Sequence, residues 1–460
     1  MKALRNMKAR RPVSRLFVAA MAALLAASGC SRSDAPRHVV LITIDTLRDD
    51  HVGVDRGGKP LTPSLDRIAA DGIRYTDAIT NSTVTRPAHA SILTGLYPWH
   101  HGIPDQVTKL GEGVATLATV LGERGFLTAG IVSSYTLRGL STGFEYFHQR
   151  LRSTELNRPG EHYKSPEETT RIAADWVKEH AGKAFFLWVH YFPPHGPYTP
   201  PDDFIDAAGE KPSGETLEVS DLNYEEGAIP MYQALPGIRD PAIYRSRYEA
   251  NVRYVDFHVG AFVSTLRELG MYENALLLVT ADHGESLGEH DWYFAHGNLV
   301  YDEQAKVPLL VKLPGNERAG SVVTDPVETL DIAPTVLALL NLSELMPTEG
   351  RSLLGDLESS APRLRFSQTN DAELVCAIEG RWKFTLHSGD RRLVGPTHPE
   401  RELYDRERDP AETTNLVSEE RNVARRLEHE IVSRFDPRTL RPSDLTEDEI
   451  ERLRSLGYVR

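Results

Sequence analysis

V-V-L-I-T-I-D-T-L-R (residues 39–48) decides the fold of this chain. Its first six residues are β-branched or leucine, with no polar alternation. Such a run is a strand buried on both faces, as in a parallel sheet covered by helices. The run ends on Asp45, so a carboxylate stands at the strand's carboxyl end, where open α/β sheets bind ligands. Two further runs repeat the arrangement. Residues 185–189 lead into His190 and then His195, and residues 276–279 lead through Thr280 and Ala281 into Asp282 and His283. Helical periodicity separates them at residues 63–71, 115–123, 167–181 and 248–269. Alternating strands and helices predict a doubly wound α/β sheet with Asp45, Asp282 and His283 on one rim.

A second stretch, S-T-V-T-R-P-A-H-A-S-I-L-T-G-L-Y-P-W-H-H-G-I (residues 82–103), puts Thr85 one residue before a predicted helix start. A hydroxyl there lies in the positive field of the helix N-terminus, where an anionic ester docks. Carboxylate, imidazole and ionised hydroxyl together suit Zn²⁺ or Mn²⁺ ahead of Ca²⁺. Asp45, Thr85, Asp282 and His283 are therefore the expected metal ligands, and Thr85 the expected nucleophile. One strand-end aspartate alone would read as an ordinary capping residue. The ordered set, with D-H-G-E at residues 282–285, carries the reading.

These motifs resemble the sulfatase-like branch of the alkaline phosphatase superfamily. The resemblance rests on residues 39–48, T-P-S-L-D-R-I-A-A-D-G-I-R-Y (62–75), H-A-S-I-L-T-G-L-Y-P (89–98), F-F-L-W-V-H-Y-F-P-P-H-G-P-Y (185–198) and T-A-D-H-G-E-S-L-G-E-H (280–290). It covers about residues 37–315, and E-L-Y-D-R-E-R-D-P-A-E-T-T-N-L (402–416) resembles the closing strand and turn of sulfatases. The departures bear on function. Sulfatases oxidise the Cys or Ser of a C/S-x-P-x-R motif to formylglycine. The same frame here is T-R-P-A-H, with Thr85 in that place and His89 where the arginine would be. Thr46 replaces the second of two metal-binding aspartates, and His296 stands where many relatives carry lysine. The frame is also similar to nucleotide pyrophosphatase/phosphodiesterases, which use a threonine nucleophile at a two-zinc site, but their second-zinc Asp-x-x-x-His pair is missing. One ion is expected ahead of two.

The implied roles are as follows. Thr85 attacks the ester in line. His195 or His296 protonates the leaving oxygen. Arg48 or Arg86 offsets charge on the equatorial oxygens. His89 orients substrate or is held in the core, and His190 and Arg86 are available to a second metal or to substrate. The expected activity is hydrolysis of a phosphate ester, a phosphodiester first. The alternatives are a sulfatase working without formylglycine, a phosphoryl-type transferase, and a degenerate anion- or glycan-binding lipoprotein.

Residues 1–29 join a basic start to a twelve-residue apolar run and the small residues Ala27-Ser28-Gly29 before Cys30. That is a secretory signal of lipoprotein type, too short for a comfortable membrane span. It predicts a bacterial envelope protein, periplasmic or held at the outer membrane through a lipid on Cys30. The formal charge is −14, and the signal itself is basic, so a nucleic-acid-binding surface is not expected. The predicted organisation is a catalytic domain at 37–345, with an insertion at 203–245 that breaks the helix–strand pattern. A smaller C-terminal α+β subdomain follows at 346–440, then a helical tail at 441–460.

Overall fold

The strand carrying the first motif, β1 (His38–Ile44), lies inside an eight-stranded sheet, as its uninterrupted apolar sequence requires. The computed structural model describes residues 35–149, 163–205, 211–221, 225–355, 363–387 and 398–435. The expected signal, Cys30 and the 441–460 tail lie outside the described residues. Across the sheet the order is Ser321–Val323 (β8), Ile73–Tyr75 (β2), Leu309–Lys312 (β7), Leu276–Ala281 (β6), β1, Phe185–Tyr191 (β5), Leu127–Val132 (β3) and Tyr146–His148 (β4). β6, β1, β5, β3 and β4 run parallel. The sheet is mixed, because β7 runs antiparallel to both β6 and β2.

Side-chain alternation divides the centre of the sheet between two cores. Val40, Ile42 and Ile44 of β1 enter one, with the helices Pro166–Glu179 (α4) and Pro241–Glu268 (α5). Val39 and Leu41 enter the other, with Thr85–Thr94 (α2), Leu117–Glu123 (α3) and Ile332–Leu339 (α6). α5 corrects the boundary of the insertion. It begins at Pro241 and not near residue 248, because Asp240 caps it by accepting from the Ala242 N–H at 2.9 Å and Pro241 suits the first turn.

The C-terminal strands Leu364–Gln368 (β9), Leu374–Glu379 (β10), Trp382–His387 (β11) and Arg401–Asp405 (β12) form an antiparallel sheet. The helix Arg421–Arg434 (α7) covers one face with Ala424, Leu427 and Ile431. Trp292, Leu299, Val300 and Tyr301 cover the other. This is the smaller α+β unit that the sequence predicts.

Candidate active site and metal centre

Strand parity gathers the site. Asp45 is one step past β1 and in phase with Val39, Leu41 and Thr43, so it belongs to the α2 side of the sheet. Asp282 is in phase with Leu276 and Leu278, and His190 with Phe186 and Trp188. The ladder pairs Ile44 with Ala281 and Thr43 with His190, which brings these side chains level. Three strands thus deliver Asp45, His190 and Asp282 to the helix that carries Thr85.

α2 starts at Thr85 itself, and Gly95 closes it at φ 68°, with its N–H donating to Ser91 O at 2.8 Å. A Cβ at Gly95 would lie 2.8 Å from the Thr348 side chain. Thr85 Oγ1 is 3.3 Å from His283 Nε2. His283 Nδ1 lies 3.0 Å from Gly284 O, a contact that assigns the ring proton to Nδ1 and leaves Nε2 as an acceptor. His283 Nε2 is 3.4 Å from Asp282 Oδ2 and 3.8 Å from Asp45 Oδ1.

Both oxygens of Asp45 and Oδ2 of Asp282 are buried without a hydrogen-bond partner among the described residues. Such groups are costly unless a ligand completes them. Burial raises the Asp45 carboxyl well above its ordinary range, with Asp282 and Glu285 adding repulsion. Burial also pushes Asp282 to about 6 and His283 down to about 3. One ligand atom from each of Asp45, Asp282 and His283 lies within 4.8 Å of the others. Orphaned carboxylate oxygens beside an imidazole acceptor fit a divalent cation.

His89, His190 and Asp282 also cluster, and His190 Nε2 and Asp282 Oδ2 have no hydrogen-bond partner among the described residues. The Ser133 N–H donates to His190 Nδ1 at 3.3 Å, so Nε2 carries the ring proton and faces Asp45 Oδ2 at 3.5 Å. The two groups face one another without a hydrogen bond. With His89 and Asp282, His190 forms another group of potential metal ligands, in keeping with the sequence-based expectation for it. His89 is committed at both nitrogens: Nδ1 at 2.7 Å from Thr85 O and Nε2 at 2.9 Å from Thr43 Oγ1, which also accepts from Trp188 Nε1 at 2.9 Å. Of the two uses expected for it, His89 takes the structural one and fixes the first turn of α2 to β1.

His296 stacks on His283 at 4.5 Å between ring centroids and lies 4.8 Å from His195. Burial depresses His195 and His296 to about 3, so both are neutral. His296 Nδ1 is 3.0 Å from Glu285 Oε1, and His195 Nδ1 is 2.8 Å from Gly196 O. Burial raises Glu285 to about 7. Sequence reasoning missed Glu285, although D-H-G-E ends on it; its pairing with the A-H-G-N histidine appears only when the two turns meet.

The arginines face away from the expected charge-stabilising role. Arg48 pairs with Asp50 and Glu289, each at 2.7 Å, and donates to Glu285 O at 3.1 Å. Arg86 donates to Thr136 O at 2.6 Å and Thr108 O at 3.1 Å, binding α2 to neighbouring loops. Thr46 stands at φ 57°, a left-handed conformation that is strained for a β-branched residue. Its N–H donates to Asp282 Oδ1 at 3.2 Å, and its carbonyl accepts from the Tyr248 hydroxyl at 2.8 Å.

The sulfatase family model matches residues 37–342. An arylsulfatase of Clostridium perfringens is 27% identical over 450 residues, covering 83% of this chain and 90% of its own length. In fold, the chain is similar to BT4656, solved with its substrate D-glucosamine-2-N,6-O-disulfate (TM-score 0.67, 18% identity, 88% of this chain and 99% of that one). It is likewise similar to a phosphonate monoester hydrolase from Silicibacter pomeroyi (TM-score 0.66, 20% identity, 90% of this chain and 98% of that one). Motif, rim geometry and these matches agree: the chain belongs to the sulfatase family of the alkaline phosphatase superfamily, hydrolases of ester bonds.

Proposed function

We propose that this protein hydrolyses a singly charged phosphate ester, a phosphodiester above all, with Thr85 as the nucleophile. The observation that carries the reading is Thr85 Oγ1 at 3.3 Å from His283 Nε2, beside carboxylate oxygens without partners. Threonine cannot become the formylglycine hydrate that lets a sulfatase shed sulfate. A covalent ester on Thr85 must instead be cleaved by water at the central atom, a step open to phosphorus. Charge points the same way. Asp45, Asp282 and Glu285 crowd the site, Arg48 is matched by two carboxylates, and Arg86 binds main-chain oxygens. A monoanionic diester meets less repulsion there than a dianionic monoester.

Asp45, Asp282, His283 and Thr85 suit one divalent ion, zinc or manganese by donor type. When bound, that ion supplies Lewis acidity, easing ionisation of a hydroxyl and offsetting phosphoryl charge. The protein's own groups do the rest. Thr85 Oγ1 attacks phosphorus, the bond to the leaving alcohol breaks, and the Thr85 proton passes through a neutral imidazole to the departing oxygen. His296 is placed for this relay, because its Nδ1 lies 3.0 Å from Glu285 Oε1, which orients the ring. Water then attacks phosphorus, the bond to Thr85 Oγ1 breaks, and the hydroxyl returns with release of a monoester.

The second reading is sulfate ester hydrolysis through the same threonine, favoured by the arylsulfatase relative. Turnover of bis-aryl phosphate, aryl phosphate and aryl sulfate by the purified protein separates the two. The diester leads if the proposal holds. Aryl sulfate turnover alone, or diester turnover that survives Thr85→Ala, defeats it. We also infer an envelope location with a lipid on Cys30, supported by the pattern of residues 1–30. A Cys30→Ser protein that stays in the membrane fraction removes that anchor.

A further inference from the structure

A second group of metal-ligating side chains lies in the C-terminal sheet and shares no residue with the catalytic rim: His387, His398 and Glu402. β11 and β12 are antiparallel, and Thr385 stands opposite Glu402. His387, two residues beyond Thr385, shares the face of Glu402. The His387 N–H donates to Glu400 O at 3.1 Å and holds this end of the ladder closed. His398 lies four residues before Glu402, with Nδ1 3.4 Å from Glu402 Oε1. One ligand atom from each of the three lies within 4.8 Å of the others.

We propose that His387, His398 and Glu402 bind a Zn²⁺ ion at the edge of the C-terminal sheet, backed by Glu226 of the insertion. Two Zn bonds of about 2.0–2.1 Å at a tetrahedral angle put their ligand atoms about 3.3–3.4 Å apart. The His398–Glu402 separation of 3.4 Å equals that edge. The surroundings are those of a metal centre. Glu402 is buried, and the Tyr301 hydroxyl donates to its Oε2 at 3.1 Å, leaving Oε1 toward the histidines. With Nδ1 of His398 on the cation, its Nε2–H faces Glu226 Oε1 at 3.7 Å. A carboxylate behind a ligating imidazole fixes its tautomer and raises its basicity. Glu226 belongs to the insertion, whereas His387 ends β11 and His398 precedes β12. Two imidazoles and one carboxylate, with water as the fourth ligand, select zinc over magnesium or calcium.

The test uses the full-length chain carrying Asp45→Asn and Asp282→Asn, so that the catalytic rim does not compete. After treatment with chelator, the protein is titrated with Zn²⁺ alone and with Co²⁺ alone. The expected result is one saturable equivalent, a rise in melting temperature on saturation, and a visible Co²⁺ spectrum of low coordination number. His387→Asn and His398→Asn together abolish that equivalent while leaving the metal-free melting temperature of the parent unchanged. Glu226→Gln, which removes no ligand, weakens binding by about 10-fold or more. Absence of saturable zinc binding in the parent overturns the proposal, as does binding unchanged by the paired histidine substitutions. Because the rim is disabled throughout, the outcome does not depend on the catalytic reading.

Discussion

The rim of the main sheet and the seam beneath the C-terminal sheet are both buried and charged, yet they balance charge in opposite ways. At the rim, Asp45 and Asp282 hold carboxylate oxygens with no partner. At the seam, Asp302, Asp77 and Glu412 each meet a base. Asp302 pairs with Arg406 at 2.9 Å and Lys383 at 2.9 Å, Asp77 with Arg365 at 2.7 Å and Arg406 at 3.0 Å, and Lys383 also with Glu412 at 2.9 Å. Burial alone would raise Asp302, but Arg406 and Lys383 hold it below the usual carboxylate range. Burial raises Asp45 with no such compensation, and it raises Asp282 in spite of the neighbouring His89 and the backbone N–H groups of His283 and Thr46. Buried charge that is matched inside the chain serves cohesion. Buried charge left unmatched marks where a ligand completes the structure.

Substitution separates the two regions most sharply at the nucleophile. Thr85→Ala should lower turnover on the order of 10⁴-fold or more, the scale of losing a covalent nucleophile, with an unchanged melting curve. Single-turnover kinetics beside calorimetry checks both halves. Lys383→Met should do the reverse. It strands Glu412 and leaves Asp302 to Arg406 alone, costs about 3–5 kcal/mol in urea unfolding, and leaves turnover per folded molecule intact.

Acid should separate the regions next. His101, packed under α2, accepts the Ile103 N–H at Nδ1 (3.2 Å) and contacts Ser91 Oγ through Nε2 (3.1 Å). Burial holds it near 3, against an ordinary value of 6.5. Its folded pKa is lowered, so an unfolded chain takes up a proton below about pH 6.5 that the folded chain refuses. Stability is therefore lost as pH falls through that range, by about 1.4 kcal/mol per pH unit for each such histidine. Asp302 acts only lower. Its depressed pKa gives stability that is full above about pH 4 and lost on further acidification. Urea midpoints from pH 7 to about pH 3 should show His101→Gln lowering the slope of the upper limb by one histidine's share, and Asp302→Asn changing the lower limb alone. The smallest change belongs to Arg48. Its guanidinium is already neutralised by Asp50 and Glu289, so Arg48→Met should change kcat by less than about 10-fold. A drop as large as that of Thr85→Ala would return Arg48 to the catalytic machinery.

The parts of this molecule that follow local rules were legible in its sequence. Residues 39–44 and 276–279 announced buried strands, and period-two parity then placed Asp45 and Asp282 on the face of α2. What escaped depended on partners distant in the chain. The helix Pro63–Ala70 (α1) is capped by Asp256, which accepts from the Ser64 N–H at 2.9 Å and the Leu65 N–H at 2.9 Å. Arg48 and Arg86 read as free charge in the sequence, and only folding revealed Glu289, Thr136 and Thr108 as their acceptors. Glu285 was hidden for the same reason.

All ten residues of α2 are buried. Catalytic groups carried on surface loops are commonly lost in local opening, before the whole fold gives way. Thr85 has no such soft segment beneath it. Heat should therefore silence this enzyme in the same cooperative step that melts it, with no range of temperature in which the folded protein stands intact and idle.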